Sequence, residues 1–221
     1  MPLPYEDRME AGRVLAEELL PYANRRDVLV LGLPRGGVPV AYEVAVRLNV
    51  PLDIFVVRKL GVPGHEELAM GAIASGGIQV LNSDVVARYA IPASAIAAAA
   101  ARETKEVERR ESAFRGGRPP LDVQGRTLIL VDDGLATGST MRAAVNALRQ
   151  RKPAKIVAAV PVAAQRTCIE LSAVVDELIC VETPESFQAV GQWYHDFSDP
   201  TEEQIRALLE RAASRRNYRE P

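Results

Sequence analysis

Three stretches, "DVLVLGL" (Asp27–Leu33), "TLILV" (Thr127–Val131) and "KIVAAVPV" (Lys155–Val162), are short runs with almost no polar residue. A strand covered on one face alternates apolar and polar residues, so runs like these predict strands buried on both faces. Each is followed by a short loop and a helical pattern. After the first comes "VPVAYEVAVRLN", with Pro39 in its first turn and Ala41, Val44, Ala45 and Leu48 as an apolar stripe. After the second comes Ser139–Arg151, ended by Pro153, and after the third "QRTCIELS". "LDIFVV" (Leu52–Val57) and "VDELICVE" complete the set of strands. Repeated strand–helix–strand units cross over right-handed, which predicts an α/β fold: a doubly wound, mainly parallel central sheet with flanking helices. A chain of 221 residues can bury roughly 70% of its unfolded surface, so the fold needs no disulfide staple.

The remaining segments attach to that frame. Glu6–Tyr22 reads as an amphipathic helix, and Leu68–Asn82 as two strands joined at Ser75-Gly76-Gly77. From Ser83 to Phe114 the pattern is helical; Pro92 opens a long helix supported by Arg102/Glu106 and Glu106/Arg110 pairs. "RGGRPP" breaks it, and a last helix starts near Thr201. This is expected to form one domain, with a core at about 25–181, a helical and hairpin insertion at about 60–125, and a small hood lobe from about 182–221, to which 1–24 is a candidate addition. A net charge of −2 with no basic run argues against a nucleic-acid binder. The absence of an apolar signal core and of any apolar run near 18 residues argues against export or membrane insertion. Cys168 and Cys180 have neither metal nor redox spacing, and a cytoplasmic location is the expectation.

"LILVDDGLATGST" (Leu128–Thr140) sets Asp132 and Asp133 at the end of a buried strand, directly before a loop of small residues. Ligands of open α/β sheets bind beyond the carboxyl ends of the strands. Small residues let an anion approach backbone N–H groups, the following helix presents its positive end, and Thr137, Ser139 and Thr140 add hydroxyl donors. Two carboxylates would repel a phosphate held in that loop. They suit a longer ligand whose phosphate lies at one end and whose hydroxyl donors lie a few ångströms away, the arrangement of a ribose 5-phosphate. "GLPRGG" lacks the second glycine of a dinucleotide fingerprint, and "GLATGST" lacks the lysine and spacing of a P-loop.

The apolar run followed by "VDDGLATGST" resembles the signature of the type I phosphoribosyltransferases, and the order of strands and helices is similar over most of the chain. The resemblance implies transfer of 5-phosphoribosyl from phosphoribosyl pyrophosphate (PRPP) to a nitrogenous base with release of pyrophosphate, assisted by Mg²⁺. It implies that Asp132 and Asp133 hold the ribose hydroxyls, while Ala136, Thr137, Gly138, Ser139 and Thr140 wrap the 5′-phosphate. Asp133→Asn would then cut affinity without unfolding the protein. Arg35-Gly36-Gly37 resembles the family's pyrophosphate loop, which often holds a non-proline cis peptide. In physical terms the glycines expose backbone N–H groups and Arg35 offers a forked contact. Arg58-Lys59, at the end of the second expected strand, resembles the family's basic pair near the pyrophosphate; solvated surface is the other reading. His65, Glu66 and Glu67 follow in a loop, where a histidine is usually just solvated. The family's closing flap falls within Leu60–Gly125, and no single element there identifies it.

Phe187, Trp193, Tyr194 and Phe197 fall within eleven residues of a chain that is 5% aromatic. They form a stacking platform for a base or a small aromatic core. "SFQAVGQWYHDF" resembles the base-binding hood of purine-type members, which assigns Phe187, Val190, Trp193 and Tyr194 to the base and Asp196 to the metal. Three features depart from the family pattern. Gly134 replaces a frequent branched aliphatic. Ala136 replaces the Asp of 6-oxopurine enzymes, and Ala163-Ala164 stand where those enzymes carry a Lys, so 6-oxopurines are disfavoured. The expected partners are small molecules and, as members commonly dimerise, a second copy of the chain; nucleic acid and membrane are not expected. The alternative is a non-catalytic sensor of PRPP or a nucleotide.

Overall fold

The computed structural model describes residues 4–217; the outermost parts of the expected lobe, residues 1–3 and 218–221, lie outside them. The main sheet is built from β1 (Val28–Gly32), β2 (Leu52–Ile54), β6 (Thr127–Val131), β7 (Lys155–Val162) and β8 (Glu177–Glu182), all parallel, in the order β2-β1-β6-β7-β8. Side chains alternate across it. Leu128 and Leu130 of β6 pack with Met141, Val145 and Leu148 of α5 (Ser139–Arg149) and Leu171 of α6 (Gln165–Ser172). Ile129 and Val131 face the opposite way, toward Leu15 of α1 (Arg8–Glu18) and Val40, Val44 and Leu48 of α2 (Gly37–Leu48). Apolar residues are needed at both parities because helices cover both faces, which is why the runs are continuous.

A second sheet is antiparallel: β3 (Val57–Val62), β4 (His65–Ala74) and β5 (Ile78–Leu81), with the β4–β5 turn at Gly76 and Gly77, both at positive φ. α3 (Ser83–Arg88) and α4 (Ala93–Arg115) follow, and α7 (Glu202–Asn217) packs on α4 and α2. Leu60, Met70 and Ile73 share a core with Val107 and Phe114 of α4 and with Ile205 and Leu209 of α7.

The expected strand Leu52–Val57 is in fact two. Phe55 N–H donates to the Gly32 carbonyl at 3.1 Å, the last contact with β1. One residue later Val56 N–H donates to Ser75 Oγ at 2.8 Å, and Ser75 N–H returns to the Val56 carbonyl at 2.9 Å. The chain therefore leaves the parallel sheet at Phe55 and enters the antiparallel one, although the sequence is uniformly apolar across the break. A buried network anchors this exit: Arg115 Nε lies 2.9 Å from Asp53 Oδ1, whose partner oxygen accepts Leu121 N–H at 3.0 Å. On α4, Glu106 pairs with Arg109 and Arg110, while Arg102 turns to Glu103 instead of the expected Glu106. Among the described residues no helix is long and apolar enough to cross a membrane.

Candidate active site

Two loops meet at the carboxyl edge of the main sheet. β1 and β6 end in register at Gly32 and Val131, so the loops that follow start side by side. Backbone packs on backbone here, and this is where glycine is required. A Cβ on Gly37 would fall 2.6 Å from the Val131 carbonyl and 2.8 Å from Asp132 Cα, and one on Gly36 would fall on the Asp133 carboxylate. The Pro34–Arg35 peptide bond is cis. The two candidate anion loops are therefore one surface, with the paired carboxylates between them.

Each carboxylate has an internal partner. Asp132 Oδ1 accepts the N–H of Asp133 at 2.9 Å. Asp133 Oδ2 accepts Arg8 Nε at 2.8 Å, from the first turn of α1. Burial, reinforced by the neighbouring charge of Asp133, holds the Asp132 carboxyl well above the usual carboxylate range. Burial also raises Asp133, and the Arg8 guanidinium opposes it. The loop from Ala136 to Thr140 is exposed apart from Gly138, which caps α5 at φ 65°. The helix thus points its N-terminal N–H groups at the same edge. Thr167 of α6 braces the loop by donating its hydroxyl to the Ala136 carbonyl at 2.5 Å.

A model described as the phosphoribosyl transferase domain matches residues 5–198. The chain belongs to the phosphoribosyltransferase family. It is 45% identical over 208 residues to a Mycobacterium tuberculosis protein provisionally named a phosphoribosyl transferase, covering 94% of this chain and 47% of that one. The chain thus spans about half the length of the curated relatives it matches over most of its own length. The crystal structure of TT1426 from Thermus thermophilus superposes with a TM-score of 0.84 at 42% identity, covering 94% of this chain and 98% of that chain. A Roseiflexus protein named bifunctional protein PyrR is 32% identical over 124 residues, 55% of this chain and 62% of its own.

In this member of the family the other expected site residues are placed unevenly. Arg35 stands on the β1–α2 loop as expected, half exposed, and its Nη2 is held 2.8 Å from Asp199 Oδ2 of the C-terminal segment. Arg58 and Lys59 do not end β2. They lie inside β3, opposite Ile73 and Ala72. Arg58 Nε bonds Glu103 at 3.0 Å, and Lys59 Nζ bonds the Glu67 carbonyl at 3.2 Å, so carboxyl-bearing residues of the insertion claim both cations. His65 and Glu66 belong to β4, not to a free loop, and His65 lies beside the Tyr89 ring.

The aromatic segment from 187 to 197 packs against the N-terminus and the carboxylate loop. Tyr5, Tyr194 and Val162 share a core with Phe187, Val190, Trp193 and Phe197 around them. Tyr194 donates its hydroxyl to the Asp133 carbonyl at 2.5 Å, and Phe187 stacks on Trp193 with centroids 6.3 Å apart. Val190 explains Gly134: a Cβ there would meet Val190 Cγ1 at 2.6 Å, so the C-terminal segment occupies the volume that a larger residue at 134 would need. Ala163 is buried in a bridge to Leu135, and Ala136 is exposed beside it, so neither departure from the 6-oxopurine pattern is offset locally by a charged side chain at those positions.

Asp196 is exposed, and its Oδ1 accepts Ser198 N–H at 2.9 Å, which lowers its carboxyl below the usual range. Among the described residues no three metal-capable side chains gather anywhere.

The residue missed by the sequence reading is Arg8. Its position carried one signal: a cation in the first turn of a helix opposes the macrodipole, and such a residue requires a compensating anion.

Proposed function

We propose that this chain transfers the 5-phosphoribosyl group from PRPP, supplied with Mg²⁺, to a nitrogenous base. The observation that carries the reading is the packing of Gly36 and Gly37 against Asp132 and Asp133, which sets two anion-binding loops on either side of paired acceptors for a diol. The assignments are those of ribose to Asp132 and Asp133, of the 5′-phosphate to Ala136–Thr140, and of pyrophosphate to Arg35, Gly36 and Gly37. Arg58 and Lys59 are assigned to the same pyrophosphate, and would have to exchange their pairs with Glu103 and Glu67 for it, as Arg35 would its pair with Asp199.

Catalysis on this reading is mainly electrostatic and positional. The bond from ribose C1 to the pyrophosphate oxygen breaks with its electron pair leaving on pyrophosphate. A base nitrogen then donates its lone pair to C1 and gives up its proton to the departing pyrophosphate or to solvent. Arg35 and the N–H groups of Gly36 and Gly37 would stabilise the departing charge, and the carboxylates would fix the sugar so that C1 faces the base. Mg²⁺, which Asp196 would help to hold, would supply further positive charge against the leaving group. The segment with Phe187, Val190, Trp193 and Tyr194 forms the acceptor side of the site, while Tyr194 is committed by its hydroxyl to Asp133 and serves as a wall. Ala136 and Ala163-Ala164 leave no acid or lysine at those positions for a 6-oxo group, so hypoxanthine and guanine are disfavoured.

The test is a panel of purine, pyrimidine and pyridine bases with PRPP and Mg²⁺, read as pyrophosphate release. Turnover with one base supports the reading and names the acceptor. Tight PRPP binding without release from any base would replace it with the sensor reading.

A further inference from the structure

The geometry points to Arg8 as a positioning residue for the ribose grip, acting on the sugar only through Asp133; this rests on the transferase reading above. Arg8 is the first residue of α1, yet its side chain is only 6% exposed. Three surfaces hold the guanidinium. Nε donates to Asp133 Oδ2 at 2.8 Å, Nη1 donates to the Ser198 carbonyl at 2.7 Å, and Cζ lies 3.9 Å from the centroid of the Phe197 ring.

A buried cation opposed by a helix N-terminus is expensive unless its partner needs the charge. Asp133 does. It stands next to Asp132 in a site shielded from water, and two adjacent carboxylates there favour holding a shared proton. A diol presents two donors and is gripped best by acceptors. Arg8 favours the ionised form of Asp133, and by fixing one of its oxygens it fixes the rotation of the whole carboxylate. The charged groups around this cluster are few. Asp132 lies on the same loop, the Tyr194 hydroxyl sits on the Asp133 carbonyl, and Asp196 and the Arg35–Asp199 pair lie on the segments that carry Ser198 and Gly36.

The guanidinium shape matters as well as the charge. One planar fork reaches Asp133 and Ser198 while its face covers Phe197, and an ammonium group has neither the second directed donor in that plane nor the stacking face. Arg8 thereby joins α1, the carboxylate loop and the C-terminal segment at the point where a sugar would be held.

The experiment titrates PRPP with Mg²⁺ into wild type, Arg8→Gln and Arg8→Lys, with melting followed on the same preparations. The expected order of affinity is wild type, then Lys, then Gln, with Arg8→Gln at least tenfold weaker at temperatures where it is folded. Affinity for inorganic pyrophosphate with Mg²⁺, which presents no diol to Asp133, should stay within twofold of wild type in Arg8→Gln, a split between the two ligands that a purely structural role would not give. A folded Arg8→Gln that binds within twofold of wild type overturns the inference. Should Arg8→Gln fail to fold, Arg8→Lys decides: a threefold or greater loss supports the inference and wild-type affinity overturns it. Failure of the wild type itself to bind PRPP would sink the transferase reading and this inference with it, an outcome distinct from selective indifference at Arg8.

Discussion

Replacing Asp132 by Asn should strengthen the fold while weakening its ligand, two effects of opposite sign from one carboxyl. Asp132 Oδ1 accepts the Asp133 N–H at 2.9 Å, and the Asn carbonyl oxygen can keep that bond. What the substitution removes is a buried negative charge beside a second carboxylate, the cause of the raised Asp132 carboxyl. A hydrogen bond to a charged acceptor contributes about 1.5–3 kcal/mol, so losing one should weaken PRPP binding by about tenfold to 150-fold. The free protein should gain on the order of 1 kcal/mol at neutral pH, about 2–4 °C in melting temperature for a chain of this size. The pH dependence has a defined sign. Because the folded state holds the proton more tightly than the unfolded chain, this group's stabilisation is complete below the ordinary carboxylate range and is lost as pH rises through its raised folded value. Wild type should therefore show a falling contribution to stability from about pH 4 upward that Asp132→Asn lacks. Calorimetric titration and denaturant unfolding between pH 4 and pH 8 measure both. An Asn variant that binds within twofold of wild type would show that Asp132 does not hold the ligand, and one less stable at neutral pH would show that its buried charge is not a cost to the fold.

Three further outcomes follow from particular contacts. Asp133→Asn should cost about 3 kcal/mol of stability as well as affinity, because Arg8 keeps its charge in a buried site without its partner; denaturant unfolding checks it. The sequence predicts only that the variant stays folded, and the ion pair with Arg8 adds this cost to that expectation. Gly134→Val should destabilise by about 1–3 kcal/mol by driving a side chain into Val190, with a change in Trp193 fluorescence as the C-terminal segment shifts. Asp199→Asn frees Arg35 from an exposed pair worth at most about 1 kcal/mol, so PRPP affinity should rise by no more than about fivefold; a fall would show that Asp199 itself serves the ligand.

How much of this was legible in the sequence depended on whether the deciding contact was local. β6 and β7 run from Thr127 to Val131 and from Lys155 to Val162, as their apolar runs predict, because burial on both faces leaves its mark on every residue. The carboxylates and the loop to Thr140 were legible because a strand end, small residues and a helix start coincide within thirteen positions. The break after Phe55 was not, since a strand leaving one sheet for another stays apolar throughout. Arg58 and Lys59 were misplaced for the same reason, and only the fold reveals that Glu103 reaches one of them. Arg8 meets Asp133 across 125 residues, and no local spacing encodes that contact. The Gly134 departure was visible at once, but its cause, Val190, lies 56 positions on, in the C-terminal segment.

On the reading proposed above, the edge between the β1–α2 and β6–α5 loops grips a phosphorylated sugar by its diol and its phosphate together. A crystal structure of the protein with PRPP and Mg²⁺ tests it most directly. The two ribose hydroxyls should lie within hydrogen-bond distance of Asp132 and Asp133, with the 5′-phosphate on the N–H groups between Ala136 and Thr140. A ligand bound elsewhere at saturating concentration, or a sugar held with its hydroxyls turned away from both carboxylates, would contradict it.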